Sequence, residues 1–436
     1  MSKRLILILS FAFILGLLSL AYAEVQNIKV GGDILLRGLS RNNFDLVNSG
    51  TPGDKEDDQA SFATANVRLR IDADLTDNVS ATVRLLNERL WGTLDDTTAT
   101  SDIDLDLAYV TLKEFLYSPL TVTLGRQELR YGNALIVGDP DTNRVVDDVS
   151  PFSGTIAADL SSHKAFDAIR AVLNYDPLVL DLFYAKIEED TLTRNDDVDL
   201  MGVNLIYTLD KNTTLNPYLF IRSEGSNRSG QPGKSTKAYV PGILVTSSPI
   251  ENLKGSLEFA YQFGRDTASA NKLRAWAAQG SLDYTLAKVA YSPMIGLQYT
   301  YLSGDKNTSD NKDKAWDPMF EDQTLNSIPN LLFVNSNMQV INLKGSLKPM
   351  EDLTILANYG NYRLAQKVTS LSGYTNWTLT GKKDLGDALD IEAIYDYTED
   401  VQLGLCLGWF FPGKAFDKSQ GRRTANQVIG SMKVTF

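Results

Sequence analysis

The dominant feature of this 436-residue chain is an alternation of apolar and polar side chains that recurs in about eighteen segments. In the second segment, Val67, Leu69 and Ile71 share one face, and Arg68 and Arg70 share the other. A period of two predicts β-strands. Most segments have about 11 to 14 residues, whereas strands of globular sheets average about 5–6. A tilted strand needs about 9–11 residues to cross a membrane core, so these strands are long enough to span one.

The connections between the segments predict how the strands are arranged. Tight turns alternate with longer, polar connections, an asymmetry typical of outer-membrane barrels. An open sheet edge has no hydrogen-bond partner in hydrocarbon, so the sheet must close. We therefore predict an all-β, transmembrane, antiparallel up-and-down barrel of about 18 strands, with 16 as the alternative. Such a barrel is too wide for side chains to fill and should enclose a channel. The loops near 133–163 and 304–335 are long enough to fold inward and narrow it.

The final segment places Val428, Gly430, Met432, Val434 and Phe436 on one face. A terminal strand that ends in phenylalanine resembles the terminal signal of bacterial outer-membrane barrels. In that class the last strand pairs with the first and closes the sheet. Taken alone, the pattern also suits the last strand of a soluble β-sandwich.

The first residues predict the cellular route. Lys3 and Arg4 precede an apolar run and then Ala21-Tyr22-Ala23, the pattern of a secretory signal peptide over residues 1–23. Residues 24–436 then form a single outer-membrane β-barrel domain. We expect export through the periplasm, insertion by the barrel assembly machinery, and contact with outer-membrane lipid.

Composition excludes several other classes of function. The net charge of −12 argues against nucleic-acid binding. A lone cysteine, Cys406, rules out an internal disulfide framework. A lone histidine, His163, argues against a histidine-built metal site, and no other cofactor is expected. The aspartates of the segment 305–313 could hold Ca²⁺ through carboxylates, although the segment does not fit an EF-hand. The candidate ligands are Asp305, Asp310 and Asp313.

If the apolar face of each strand meets lipid, the opposite face lines the channel and carries charges of both signs. These charges either orient a passing solute or pair across neighbouring strands and rigidify the wall. We expect pairing for most of them, and contact with solute for the group Arg68, Arg70 and Arg84. The predicted pore-lining residues are Arg37, Arg68, Arg70, Arg84, Arg170, Arg222, Lys254, Lys344, Asp390, Glu392 and Asp396.

Several short segments resemble the alginate-export family of outer-membrane barrels. They are Gly125-Arg126-Gln127-Glu128-Leu129 with Tyr131-Gly132, Phe166-Asp167-Ala168-Ile169-Arg170, Ser303-Gly304-Asp305, Trp316-Asp317-Pro318-Met319-Phe320, Leu385-Gly386-Asp387 and Phe410-Phe411-Pro412-Gly413. The resemblance implies a monomeric, porin-like barrel of eighteen strands that passes an anionic polysaccharide outward. Two features depart from the family. The segment F-D-A-I-R replaces an F-D-G-V-R-like sequence, and the lumen is mixed in charge where alginate exporters have a strongly basic constriction.

The leading hypothesis is a passive outer-membrane channel for a hydrophilic, anionic solute such as an acidic saccharide or polysaccharide. It predicts transport and no enzymatic activity. A receptor or adhesin barrel is an alternative, with the acidic loops as its binding surface. A barrel enzyme is a further alternative, but it would need a histidine beside a serine or aspartate, and only His163 is available.

Overall fold

The computed structural model describes residues 27–47, 59–92, 103–140, 158–189, 197–225, 235–265, 271–307, 309–371 and 377–436. The predicted signal peptide, residues 1–23, lies outside them. All structural statements below concern the described residues.

Strands make up most of the described chain. In order they are β1 (Asn27–Asn42), β2 (Ala60–Thr76), β3 (Val79–Leu90), β4 (Ile103–Leu112), β5 (Leu120–Glu128), β6 (Ala165–Asn174), β7 (Leu178–Glu188), β8 (Val198–Asp210), β9 (Thr213–Glu224), β10 (Thr236–Ser247), β11 (Leu253–Arg265), β12 (Lys272–Thr285), β13 (Met294–Leu302), β14 (Lys312–Asp313), β15 (Met338–Met350), β16 (Leu353–Leu364), β17 (Ser370–Leu371), β18 (Trp377–Thr378), β19 (Asp384–Asp396), β20 (Val401–Pro412) and β21 (Ala425–Thr435). The two-residue strands β14, β17 and β18 lie in loops, so the other eighteen form the wall, as the sequence predicts.

The barrel closes through its first and last strands. Strands β1 and β21 pair antiparallel, with Asp33 opposite Thr435 at one end of the ladder and Asn42 opposite Asn426 at the other. Beyond the ladder, the backbone N–H of Phe436 donates to the oxygen of Gly32 at 3.0 Å, and the reverse bond is 2.9 Å. The seam therefore leaves no open edge, and the terminal strand has the role that its sequence predicts.

The outer face of the wall is apolar. Ile71, Leu257 and Leu297 project outward and are exposed, together with tyrosines near strand ends such as Tyr207 and Tyr284. In water, so much contiguous apolar surface would be unfavourable, whereas against lipid it is the expected surface.

Strand β4 interrupts the regular alternation of the wall. Arg84 of β3 lies opposite Leu107, but its neighbour Leu85 lies opposite Leu105, so the register shifts by one residue. Asp106 is the extra residue of this bulge. Asp106 and Leu107 are both buried, so the strict alternation of faces is broken there.

Two long loops meet inside the barrel. We name the described residues 129–140 and 158–164, between β5 and β6, inner loop 1, and residues 303–307 and 309–337, between β13 and β15, inner loop 2. The N–H of Phe320 donates to the oxygen of Ile136 at 3.0 Å, and Gly138 donates to Phe320 at 2.7 Å. Asp322 donates to Ala134 at 3.0 Å. These bonds join the two loops into one layer.

Apolar side chains fasten this layer to the inner wall. The Tyr131 ring stacks on Phe183 of β7 at 4.9 Å and lies 5.6 Å from the Phe220 ring of β9. Phe320 meets the Phe166 ring of β6 edge to face at 6.4 Å. The buried core of the protein is thus the contact between the loop layer and the wall. The helix of inner loop 2, α1 (Ser327–Leu332), is short, and no described helix is long and apolar enough to cross a membrane.

Candidate functional site

Two buried carboxylates anchor inner loop 1. Glu88 of β3 accepts the N–H of Ser162 at 2.6 Å and the hydroxyl of Ser161 at 2.9 Å, which holds the part 158–164. A second carboxylate holds the part 129–140.

Glu258 of β11 accepts the backbone N–H of Asn133 at 2.8 Å and the hydroxyl of Tyr218 at 2.7 Å. Gly132 has a φ of +59°, and a Cβ there would lie 2.3 Å from the Glu258 carboxylate. Only glycine combines this backbone conformation with such a close approach. The anchor therefore holds the loop against the wall at a defined depth.

Inner loop 2 has an equivalent anchor at the start of α1. Asp390 of β19 accepts the N–H of Ser327 at 3.0 Å, the Ser327 hydroxyl at 2.5 Å and the Asn326 amide at 2.8 Å. A carboxylate satisfies the unpaired N–H groups at a helix start. Asp390 was predicted to line the pore, and the structure places it on the inner wall as a support of the loop.

Beside these anchors, the inner wall of β11, β12, β13 and β15 is polar in successive cross-strand rows. One row contains Asn342, Gln298, Ser281 and Ser256. The next row towards the short-turn end contains Lys344, Gly296, Asp283 and Lys254. The ammonium of Lys344 donates to the Gln298 amide oxygen at 2.6 Å, which links the two rows. Neutral hydrogen-bonding groups thus lie directly beside a row with two cations and one carboxylate.

The polar rows border a cavity of about 400 Å³ between the wall and the loop layer. Ser256, Gln279, Ser281 and Gln298 line it on the wall side, and Arg130 lines it on the loop side. Arg130 pairs with Asp322, yet 55% of its side chain stays exposed. The cavity therefore presents a guanidinium opposite a surface of hydroxyl and amide groups.

Arg130, Lys164 and Asp322 were not among the predicted site residues. Lys164 lies 2.6 Å from Asp322 and 3.6 Å from Asp139, so both inner loops contribute to this cluster. Arg130 belongs to the G-R-Q-E-L-R-Y-G segment, and that segment was the only sequence signal for it. The two-residue alternation of apolar and polar side chains is a property of strands, so it does not identify loop residues that enter the lumen.

The predicted arginines of β2 and β3 face inward, and each has a carboxylate partner. Arg68 binds Asp33 at 2.8 Å, and Arg70 binds Asp72 at 2.7 Å. Arg84 binds both Asp106 and Glu128. The exposed fraction of the side chain is 42% for Arg70 but 10% for Arg84. The three arginines lie on one wall, and of the three only Arg68 and Arg70 remain accessible to a solute.

Most of the other predicted pore-lining residues are also paired. Arg37 donates to the Asn66 side chain at 3.3 Å, and Arg170 lies 2.6 Å from Asp181. Arg222 connects the wall to inner loop 2, because it lies 2.6 Å from Asp317 and 2.8 Å from Glu224.

The predicted acidic residues of β19 differ in their surroundings. Asp396 accepts a hydrogen bond from Gln402 at 2.8 Å and is exposed at the short-turn end. Glu392 is half-exposed on the inner face, opposite Cys406 of β20. Neither residue contacts the inner loops through a side-chain hydrogen bond in the described part of the chain.

The candidate calcium ligands are engaged within their own loop. Asp310 lies 2.9 Å from the Lys314 ammonium, and Asp305 and Asp313 accept backbone N–H groups. Across the described ranges, no group of three or more histidine, cysteine or acidic side chains is arranged to hold a metal. His163 is buried, 3.5 Å from Asp104 and 3.7 Å from Glu88.

The closed barrel, with its charged lumen and its infolded loops, matches a known family of proteins in sequence. The family model described as alginate export matches residues 26–430. The chain belongs to the alginate export family. It is an outer-membrane β-barrel of channel type, and the recognition based on the short sequence segments is confirmed.

Solved porins share the fold of this alginate export family member. The Pseudomonas aeruginosa protein OccK11 (OpdR) superposes with a TM-score of 0.56 at 12% identity, over 93% of this chain and 96% of that one. Acinetobacter baumannii OccAB3 gives 0.56 at 12% identity, over 94% and 99%. The outer membrane protein OprD of P. aeruginosa gives 0.55 at 11% identity, over 95% and 96%. A comparison with curated protein sequences finds no match.

Proposed function

We propose that this barrel is a passive channel for a hydrophilic, anionic solute such as an acidic saccharide. The observation that carries the proposal is the lumen cavity of about 400 Å³, where Arg130 faces Gln279, Ser281 and Gln298. A saccharide offers hydroxyl groups, and an acidic one adds carboxylates. The cavity has hydrogen-bonding partners for both.

The contacts follow from the chemistry of the lining. The exposed part of the Arg130 guanidinium pairs with a solute carboxylate, and a planar guanidinium can do so through two parallel hydrogen bonds. The amides of Gln279 and Gln298 donate to and accept from sugar hydroxyls. Lys254 and Lys344 lie one row further towards the short-turn end and provide the next positively charged contacts for the solute. Several weak contacts in sequence allow a solute both to enter and to leave.

The test is single-channel current of the purified full chain in a planar bilayer across a salt gradient. We expect discrete steps and a reversal potential that favours anions. Oligomers of a uronic acid should interrupt the current, and neutral oligosaccharides of the same length should interrupt it less.

The variant Arg130→Ala should move the reversal potential towards cations and weaken the block by the acidic oligomer. Asp396→Asn is the matched control, because Asp396 lies at the short-turn end, away from the cavity. An unchanged reversal potential and equal block in Arg130→Ala would refute the proposed site. A complete lack of current steps would refute the channel itself.

A further inference from the structure

A second cavity lies on the opposite, outward face of the wall, at the long-loop ends of β10, β11 and β12. Its volume is about 410 Å³. Its cations are Lys237, Arg265, Lys272 and Arg274, which we name the outer basic patch. All four side chains are exposed, whereas Leu273, next to Lys272 and Arg274, is buried on the inner face. The patch therefore points away from the channel lumen.

The cations of the patch lie close together. Lys272 lies opposite Arg265 in the register of β11 and β12, and Arg274 lies one row further along, opposite Phe263. Arg265 already has an interaction partner, so the excess of positive charge comes from Lys237, Lys272 and Arg274.

Cations elsewhere on the same rim are neutralised. Arg126 of β5 lies 3.1 Å from Asp167, and Lys186 of β7 lies 3.1 Å from both Asp197 and Asp199. Within the described ranges, no carboxylate lies at ion-pair distance from the side chains of Lys237, Lys272 or Arg274. The patch is thus a local excess of positive charge on a chain with a net charge of −12.

The position of the patch relative to the membrane indicates which kind of anion it binds. Tyr239 and Phe263 stack at 5.2 Å beside it, and Trp276 and Tyr301 stack at 4.2 Å on the neighbouring strands. Aromatic girdles of this kind mark the level of lipid headgroups. Below the rings, the outward side chains are apolar, Phe259 among them. Long loops lie on the outer side of outer-membrane barrels, so this rim faces the outer leaflet.

We propose that the outer basic patch binds the phosphate groups of a phosphorylated lipid in the outer leaflet. The ammonium groups of Lys237 and Lys272 and the guanidinium group of Arg274 pair with the phosphate oxygens. The acyl chains of the same lipid lie along the apolar band beneath the aromatic rings. The site is separate from the channel, because the wall lies between the two cavities.

The experiment uses the purified full chain in detergent and counts bound lipid by native mass spectrometry. The probes are a doubly phosphorylated glycolipid and the same glycolipid without phosphates. The test variant is Lys237→Ala/Lys272→Ala/Arg274→Ala. The control variant is Arg126→Ala/Lys186→Ala, which removes paired cations from the same rim. Single-channel conductance and heat-dependent gel mobility report whether each variant forms the barrel.

We expect the test variant to bind the phosphorylated lipid at least tenfold more weakly, because it removes three cations that attract an anionic headgroup. Lipid binding by the control variant should change less than about twofold. The single-channel conductance of both variants should also change less than about twofold. Equal retention of lipid by the test variant would overturn the proposal. Binding of the dephosphorylated lipid as strong as that of the phosphorylated lipid would also overturn it. Displacement of the phosphorylated lipid by an equal concentration of inorganic phosphate would overturn it too, because it would indicate a site for a free anion.

Discussion

At the scale of single residues, the ion pairs within the wall decide which charged side chains of the lumen are available to a solute. Arg70 and Arg84 are neighbours in the register of β2 and β3, and both face inward. Arg70 pairs with Asp72 and is half-exposed, whereas Arg84 is enclosed by Asp106 and Glu128. The same residue type therefore serves two purposes: one guanidinium is available to a solute, and the other holds the wall together.

The substitutions Arg70→Ala and Arg84→Ala separate these purposes. Arg70→Ala should shift the reversal potential towards cations and leave stability within about 1 kcal/mol, because the ion pair is exposed. Arg84→Ala should shift selectivity less but destabilise the barrel by about 3–5 kcal/mol, because it leaves a buried carboxylate unpaired. Reversal potentials and unfolding midpoints of both variants provide the comparison. Equal effects of the two substitutions on both measurements would contradict this division.

At the scale of elements, the inner loops narrow the channel because specific groups fasten them to the wall. Glu258 anchors the part 129–140 of inner loop 1, Glu88 anchors its part 158–164, and Asp390 anchors inner loop 2. Removing an anchor leaves buried donors without partners, at a cost of about 1–3 kcal/mol each. The wall itself is paired strand to strand by backbone hydrogen bonds.

Replacing Glu258 by alanine should therefore loosen inner loop 1 without opening the barrel. The N–H of Asn133 and the hydroxyl of Tyr218 lose their acceptor. We expect a larger and noisier single-channel conductance, with heat-dependent gel mobility unchanged. Asp72→Ala is the control, because it also removes an inward carboxylate, but one paired with Arg70 and Thr82 on the wall. A conductance increase of equal size in the control would argue against the anchor.

Glu321 makes the packing of the loop layer sensitive to pH. Burial, opposed by a hydrogen bond from Asn335 and reinforced by the nearby carboxylates Asp322 and Asp139, raises the pKa of Glu321 to about 8. In a released loop the carboxyl would titrate near its ordinary value of 4.5. Between pH 4.5 and about 8, the Glu321 carboxyl is ionised in the released loop but mostly protonated in the packed loop. The packing therefore weakens as pH rises from about 4.5 to about 8.

We expect channel conductance to increase over this pH range and Glu321→Gln to abolish the increase, because glutamine does not ionise. Fluorescence of the buried Trp316, in the same loop, provides a second measurement. An unchanged pH response in Glu321→Gln would assign the effect to another group.

At the scale of the whole molecule, the decisive feature is the closed seam between β1 and β21. Leu36 lies opposite Met432. Directly opposed residues of antiparallel strands lie about 4.5–5.5 Å apart, a separation that suits a disulfide. Closure thus joins two segments from opposite ends of the chain and sets the strand number at eighteen rather than sixteen.

A cysteine pair at 36 and 432, in a Cys406→Ser background, should crosslink the seam. After cleavage at a protease site inserted between β7 and β8, the two fragments should stay joined on a non-reducing denaturing gel and separate on reduction. The pair 36 and 433 is the control, because a shift of one residue places the side chains on opposite faces. Crosslinking of the shifted pair alone would show a different register.

The sequence alone predicted the long strands, an expected number of eighteen with sixteen as the alternative, and, for most strands, the face that meets lipid. These predictions follow from the alternation of apolar and polar residues, which can be read within one segment without knowing which strands it pairs with. It also predicted the pairing of lumen charges in general, since opposite charges on one face of adjacent strands meet once a sheet forms. It did not predict the β4 bulge, because the register depends on the partner strand.

The tertiary structure decided which loop residues enter the lumen and what they touch. Ala134 meets Asp322, and Arg130 meets the same aspartate, although the loops are far apart in sequence. No local pattern encodes such contacts, because they exist only after the closed wall brings the two loops to the same interior. For the same reason, Asp390 became an anchor of α1 and Arg130 the cation of the cavity. The lumen of this channel is therefore specified by loop packing, and its wall by local alternation.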